Sequence, residues 1–122
     1  MLRLPAKFLV IVCSFALLLA AADASGKWSG SFSDGSGDGS AYLILKQNGT
    51  QLTGTAGPDE ERQWPIAKGT VTGTKLTGEV QNPNGTVYKF TLNLEGDKLK
   101  GDVEVSRDGQ VQTGKLEVSR VK

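Results

Sequence analysis

Thr86-Val87-Tyr88-Lys89-Phe90-Thr91-Leu92-Asn93-Leu94-Glu95-Gly96-Asp97-Lys98-Leu99-Lys100-Gly101-Asp102-Val103-Glu104-Val105 decides the fold. Tyr88, Phe90, Leu92 and Leu94 point one way from an extended chain, and Lys89, Thr91 and Asn93 the other. After Glu95-Gly96-Asp97 the alternation resumes, with Leu99, Gly101, Val103 and Val105 inward and Lys98, Lys100, Asp102 and Glu104 outward. Side chains alternate across a strand with a period of two, so this is an antiparallel pair with one dry face and one wet face.

The same unit recurs on either side. Gly49-Thr50-Gln51-Leu52-Thr53-Gly54 returns as Gly73-Thr74-Lys75-Leu76-Thr77-Gly78, and again as Gly96-Asp97-Lys98-Leu99-Lys100-Gly101. The leading Gly suits a hairpin turn, where positive φ is wanted. The Leu faces inward, and the trailing Gly shares its face. A glycine inside a strand marks bending or close backbone approach. Repeated on alternate strands, it predicts the sharp coiling that a small closed sheet requires.

Extending this pattern gives eight strands: 27–33, 41–47, 51–56, 65–72, 75–80, 86–94, 98–105 and 110–120. The first carries Trp28, Gly30 and Phe32 on one face; the last carries Leu116, Val118 and Arg120. In the fourth, Ile66 and Val71 are out of phase, which predicts a bulge near Gly69. No segment has a helical period. The expectation is all-β: a single antiparallel up-and-down barrel of about eight strands, closed because open edges invite aggregation. A barrel of that size is either filled by side chains or holds one small ligand.

An export signal precedes the domain. Arg3 and Lys7 are followed by an apolar run over Phe8–Leu19, too short to span a bilayer, and then by Ala20-Ala21-Ala22-Asp23-Ala24-Ser25. Ala22 and Ala24 satisfy the small-x-small rule, so residues 1–24 are read as a signal peptide and 25–122 as the domain; a cut after Ala22 is the second choice. Cys13 follows bulky Val10-Ile11-Val12 and belongs to the apolar run, not to a lipidation site. Localisation is then periplasmic or extracellular, with no membrane insertion after cleavage.

Composition excludes several chemistries. The 98 residues left of the 122 contain neither His nor Cys. Ser-His and Cys-His nucleophiles, zinc sites and disulfides are therefore absent from the domain. Taking Arg3, Lys7 and Asp23 from the 14 basic and 13 acidic residues leaves 12 of each. That balance, with no basic stripe, argues against nucleic acid. The carboxylates fall in turns or on outward positions and read as solvated surface. Asp34-Gly35-Ser36-Gly37-Asp38-Gly39 imitates the first half of a calcium loop, but the closing ligand position falls on Leu45; it reads as a hairpin or lid loop. Asn48-Gly49-Thr50 and Asn84-Gly85-Thr86 read as turns. Trp64, after the charged stretch Asp59-Glu60-Glu61-Arg62-Gln63, is read as a lid or core aromatic. No metal, no cofactor and no catalytic set are expected.

Gly26-Lys27-Trp28 at the first strand and Arg120 on the last resemble the calycin pattern of lipocalins and avidins, in small exported bacterial form. The resemblance implies that Arg120 packs across Trp28 and closes one end of the barrel. Barrel-like patterning without a catalytic set points to a non-catalytic binding protein. Trp28, Phe32, Tyr88, Phe90 and Leu92 would line an interior holding a small apolar ligand, or the loops would meet an envelope protein or glycan. The alternative reading is an envelope structural module, or a small enzyme inhibitor working through its loops.

Overall fold

The structure, a computed structural model, describes residues 23–35 and 37–121. Residues 1–22 of the expected 1–24 export signal, Cys13 included, lie outside the described residues, as does Ser36 of the calcium-like stretch. Eight strands follow in order: β1 (Gly26–Asp34), β2 (Gly37–Asn48), β3 (Gln51–Gly57), β4 (Trp64–Thr72), β5 (Lys75–Gln81), β6 (Val87–Glu95), β7 (Lys98–Arg107) and β8 (Gln110–Arg120). Each pairs antiparallel with its chain neighbours, and β1 pairs with β8, so the sheet closes into a barrel. No helix occurs among the described residues.

The alternation sets the inside and the outside. Phe90, Leu92 and Leu94 of β6 and Leu99, Val103 and Val105 of β7 are buried, while Lys89, Thr91 and Asn93 face solvent. Apolar-in and polar-out is the reverse of a barrel built to sit in lipid. The two-residue turns are made where expected. Gly49, Gly73 and Gly96 have φ of 66°, 63° and 65°. The β7–β8 turn uses Asp108 and Gly109 at 52° and 80°, a left-handed pair that matches the twist of the joined strands. The bulge in β4 is present: its register against β5 shifts between Ala67 and Thr70, with Lys68 at φ 55°. Across it Val71 turns fully inward and Ile66 packs half-buried on the core.

The stretch 34–39 is no lid loop. β1 and β2 stay paired up to Asp34 opposite Gly37, so the polar residues Asp38, Gly39 and Ser40 lengthen β2. Backbone pairing overrides the low strand preference of Gly, Ser and Asp there. β7 and β8 likewise run on past the inward Val105 to Arg107 and Gln110.

The interior glycines serve two purposes. A Cβ on Gly54 would collide with the Ile44 carbonyl oxygen and one on Gly101 with that of Thr91, so these positions let adjacent backbones close up as the sheet coils. Gly78 instead makes room for a ring, and Gly114 for both a ring and the Ser33 carbonyl oxygen. A Cβ on Gly78 would lie 2.6 Å from Phe90 Cζ, and one on Gly114 2.7 Å from Phe32 Cε1.

Candidate functional site

The two ends of the barrel differ. The end bearing the 48–51, 72–75 and 95–98 turns is solid: Trp28, Leu52, Leu76, Leu92, Leu99 and Val118 are all less than 2% exposed. Its outermost layer is built around Trp28. The Arg120 guanidinium carbon stands 4.3 Å from the centroid of the Trp28 ring. Trp28 and Arg120 are opposed in the β1–β8 register, which brings the first and last strands' side chains together. Arg120 Nη1 donates to the Ser25 carbonyl (2.7 Å), Nη2 to the Asp23 carbonyl (3.2 Å) and Nε to Asp97 Oδ1 (3.1 Å). The Trp28 indole N–H donates to the Ala24 carbonyl (3.0 Å). Trp28 thus has a cation on its face and an acceptor at its polar tip, which is what burial of an indole requires.

The opposite end is open. A cup of about 460 Å³ sinks into it, within the range of small-molecule sites. Its apolar wall is Ala41, Leu43, Ala56, Val80, Val103 and Leu116. Four aromatic side chains join them: Phe32, Trp64, Tyr88 and Phe90. Phe32 of β1 and Tyr88 of β6, which are not neighbouring strands, meet across the lumen edge to face, with centroids 6.3 Å apart and planes at 81°. Such a pair contributes about 0.5–1.5 kcal/mol beyond its buried area.

Of the five residues expected to line the interior, Phe32, Tyr88 and Phe90 do so in this cup. Trp28 and Leu92 lie below, in the filled half, and do not reach it. Trp64 is half-buried on the wall at the start of β4, paired with Ala56 of β3.

The rim is ordered by side-chain caps. Asp59 Oδ1 accepts from the amides of Glu61 (3.0 Å) and Arg62 (2.9 Å), and its Oδ2 from Arg62 Nε (3.1 Å) and Nη2 (2.8 Å). The Arg62 side chain, then the Arg62 amide, hold the Asp59 carboxyl below the usual carboxylate range. Gln63 Nε2 donates to the carbonyls of Tyr42 (2.9 Å) and Asp59 (2.8 Å), tying the loop back to β2 just before Trp64. On the other side, Asn82 Oδ1 accepts from the amides of Asn84 (2.9 Å) and Thr86 (3.0 Å), forming a closed turn above Val80. Among the described residues Arg62 is the only charged one on the lining, and Asp59 already neutralises it.

Among the described residues no group of three or more His, Cys, Asp or Glu comes together. Asp34 and Asp38, from the calcium-like stretch, flank the tip of the β1–β2 hairpin. Comparison with known protein families, with curated proteins and with solved structures finds no match to this chain.

Proposed function

We propose that this is an exported, non-catalytic barrel of calycin type that carries one small, uncharged, mainly apolar molecule in its open end. The observation that carries the reading is the asymmetry of the barrel. One half is packed solid, whereas the other holds a cup walled by aliphatic and aromatic side chains. A protein using its loops alone would gain nothing by leaving that half empty, since unfilled apolar space forgoes packing. Neutrality of the ligand is supported by the lining, where, among the described residues, the one charged side chain, Arg62, is already paired with Asp59. Asn82, Asn84 and the Tyr88 end of the cup offer hydrogen-bonding groups for one polar substituent. Calycin type rests on the closed eight-stranded meander together with Arg120 stacked on Trp28 at the solid end.

The test is titration with an uncharged apolar fluorophore, N-phenyl-1-naphthylamine, exciting tryptophan. Trp64 on the cup wall transfers energy to a bound probe, so probe emission should rise and saturate at one molecule per chain. Native mass spectrometry of protein purified from its own host should show a small molecule carried with it. Absence of saturable binding together with a bare mass would sink the proposal, leaving the loop-surface alternative.

A further inference from the structure

The small-x-small rule fits two bonds at which the expected export segment could be removed, after Ala24 and, as second choice, after Ala22. Ala20-Ala21-Ala22 and Ala22-Asp23-Ala24 both place small residues at the two positions that a signal peptidase reads. The structure distinguishes the products. Ala24 is completely buried and belongs to the hydrophobic core. Its carbonyl is the acceptor for the Trp28 indole N–H, and its amide donates to Gln47 Oε1 (2.8 Å). The Asp23 carbonyl takes one arm of the Arg120 guanidinium. The Ser25 hydroxyl accepts from the Gln47 amide (2.9 Å). Residues 23–25 are thus a plug laid across the solid end, bonded to β2, to Trp28 and to Arg120.

We infer that the export segment is removed by hydrolysis of the Ala22–Asp23 bond, so that the mature protein begins at Asp23 and keeps Asp23-Ala24-Ser25 as the plug of its closed end. In this step the host signal peptidase directs water onto the Ala22 carbonyl. The C–N bond breaks, Ala22 leaves as a carboxylate and Asp23 gains a free amino group. The peptidase meets an unfolded chain, so the fold does not steer the cut. It shows instead which cut leaves a complete barrel. Cleavage after Ala24 would remove a core side chain, strip the buried indole N–H of its acceptor and take away one of the three Arg120 partners. A buried donor left unsatisfied is among the costlier single defects in a small domain. The inference rests on export but not on the cup.

The full chain, expressed with its own leader in a bacterial host and recovered from the exported fraction, should have an intact mass and N-terminal sequence starting at Asp23. A predominant start at Ser25 would overturn the inference and leave export standing. A chain still starting at Met1 and confined to the cytoplasm, with none in the exported fraction, would overturn both. The physical basis has its own check, by comparing chains made directly to begin at Asp23 or at Ser25. The Ser25 chain should unfold at least about 4 °C lower, with Trp28 fluorescence shifted to the red before global unfolding. Equal midpoints and spectra would refute the plug.

Discussion

Replacing Arg120 with Ala tests whether the solid end is held as described. The guanidinium over the buried Trp28 ring contributes about 0.5–2 kcal/mol, taken at the middle of that range because Arg120 itself is partly exposed. The two bonds to the Ser25 and Asp23 carbonyls add about 1 kcal/mol each after exchange with water. The ion pair adds little, since the Asp97 side chain is 70% exposed. Arg120→Ala should therefore cost about 3 kcal/mol. In a domain of this size that lowers the thermal midpoint by roughly 12–24 °C. Arg120→Lys keeps a cation over the ring but cannot fork to both carbonyls, and should lose about half as much. Asp97→Ala should cost below about 1 kcal/mol. Urea unfolding followed by tryptophan fluorescence, on chains beginning at Asp23, measures all three. A loss under about 1 kcal/mol for Arg120→Ala, or equal losses for Arg120→Ala and Asp97→Ala, would refute the reasoning, because the exposed ion pair would then account for everything.

Gly78→Ala should destabilise by about 1–3 kcal/mol, because the new methyl meets the Phe90 ring. In a Phe90→Leu background the same change should cost less, and urea unfolding of the four chains in a double-mutant cycle would show additive losses if the contact is unimportant. Ala56→Trp, on the cup wall opposite Leu43, should weaken fluorophore binding by about tenfold or more, the equivalent of about 1.4 kcal/mol. It should leave the unfolding midpoint nearly unchanged, since the ring enters open space. Asp23 is held below the usual carboxylate range by the Ser25 hydroxyl and then its amide, with the Arg120 charge adding to it. A lowered folded-state pKa stabilises above the unfolded value of about 3.9 and is lost as pH falls through the folded value. Carboxyl NMR should find Asp23 titrating below the free-peptide value, and Asp23→Asn should flatten the pH dependence of stability below about pH 4. A free-peptide titration curve would contradict the plug's bonding.

The eight strands were legible because one face of nearly every strand is dry, and a period of two cannot be mistaken where Tyr88-Lys89-Phe90-Thr91-Leu92-Asn93-Leu94 alternates so cleanly. The bulge at Lys68 was legible for the same reason, as a break in phase between Ile66 and Val71. Alternation reports in or out, but it says nothing of height along the barrel axis. Trp28 and Phe32 share a face of β1, yet the first is in the plugged end and the second on the cup wall. Leu92 and Phe90 divide in the same way on β6. Height is fixed by the stagger of eight paired strands, a property of the closed sheet that no single segment encodes. Most of the aliphatic wall, Ala41, Ala56, Val80, Val103 and Leu116 beside Leu43, is not legible as lining for this reason. All five face inward, but only Ala56 and Val80 lie beside the 57–64 and 81–87 connections; Ala41, Val103 and Leu116 sit within β2, β7 and β8 and are brought level with them by strand pairing. The ring sockets at Gly78 and Gly114 were hidden too, because their partners Phe90 and Phe32 are brought in by pairing and closure. The small and polar side chains of Asp23 and Ala24 satisfy a cleavage rule, and nothing in them alone announces their contacts with Gln47, Trp28 and Arg120.

The central claim is that this barrel has one solid end and one cup that accepts an apolar guest. Methyl NMR during titration with N-phenyl-1-naphthylamine tests it most directly. The account predicts progressive, saturating shifts at Ala41, Ala56, Val80, Val103 and Leu116, with Leu52, Leu76, Leu99 and Val118 unmoved. Shifts concentrated on the second group, or none on the first, would contradict it.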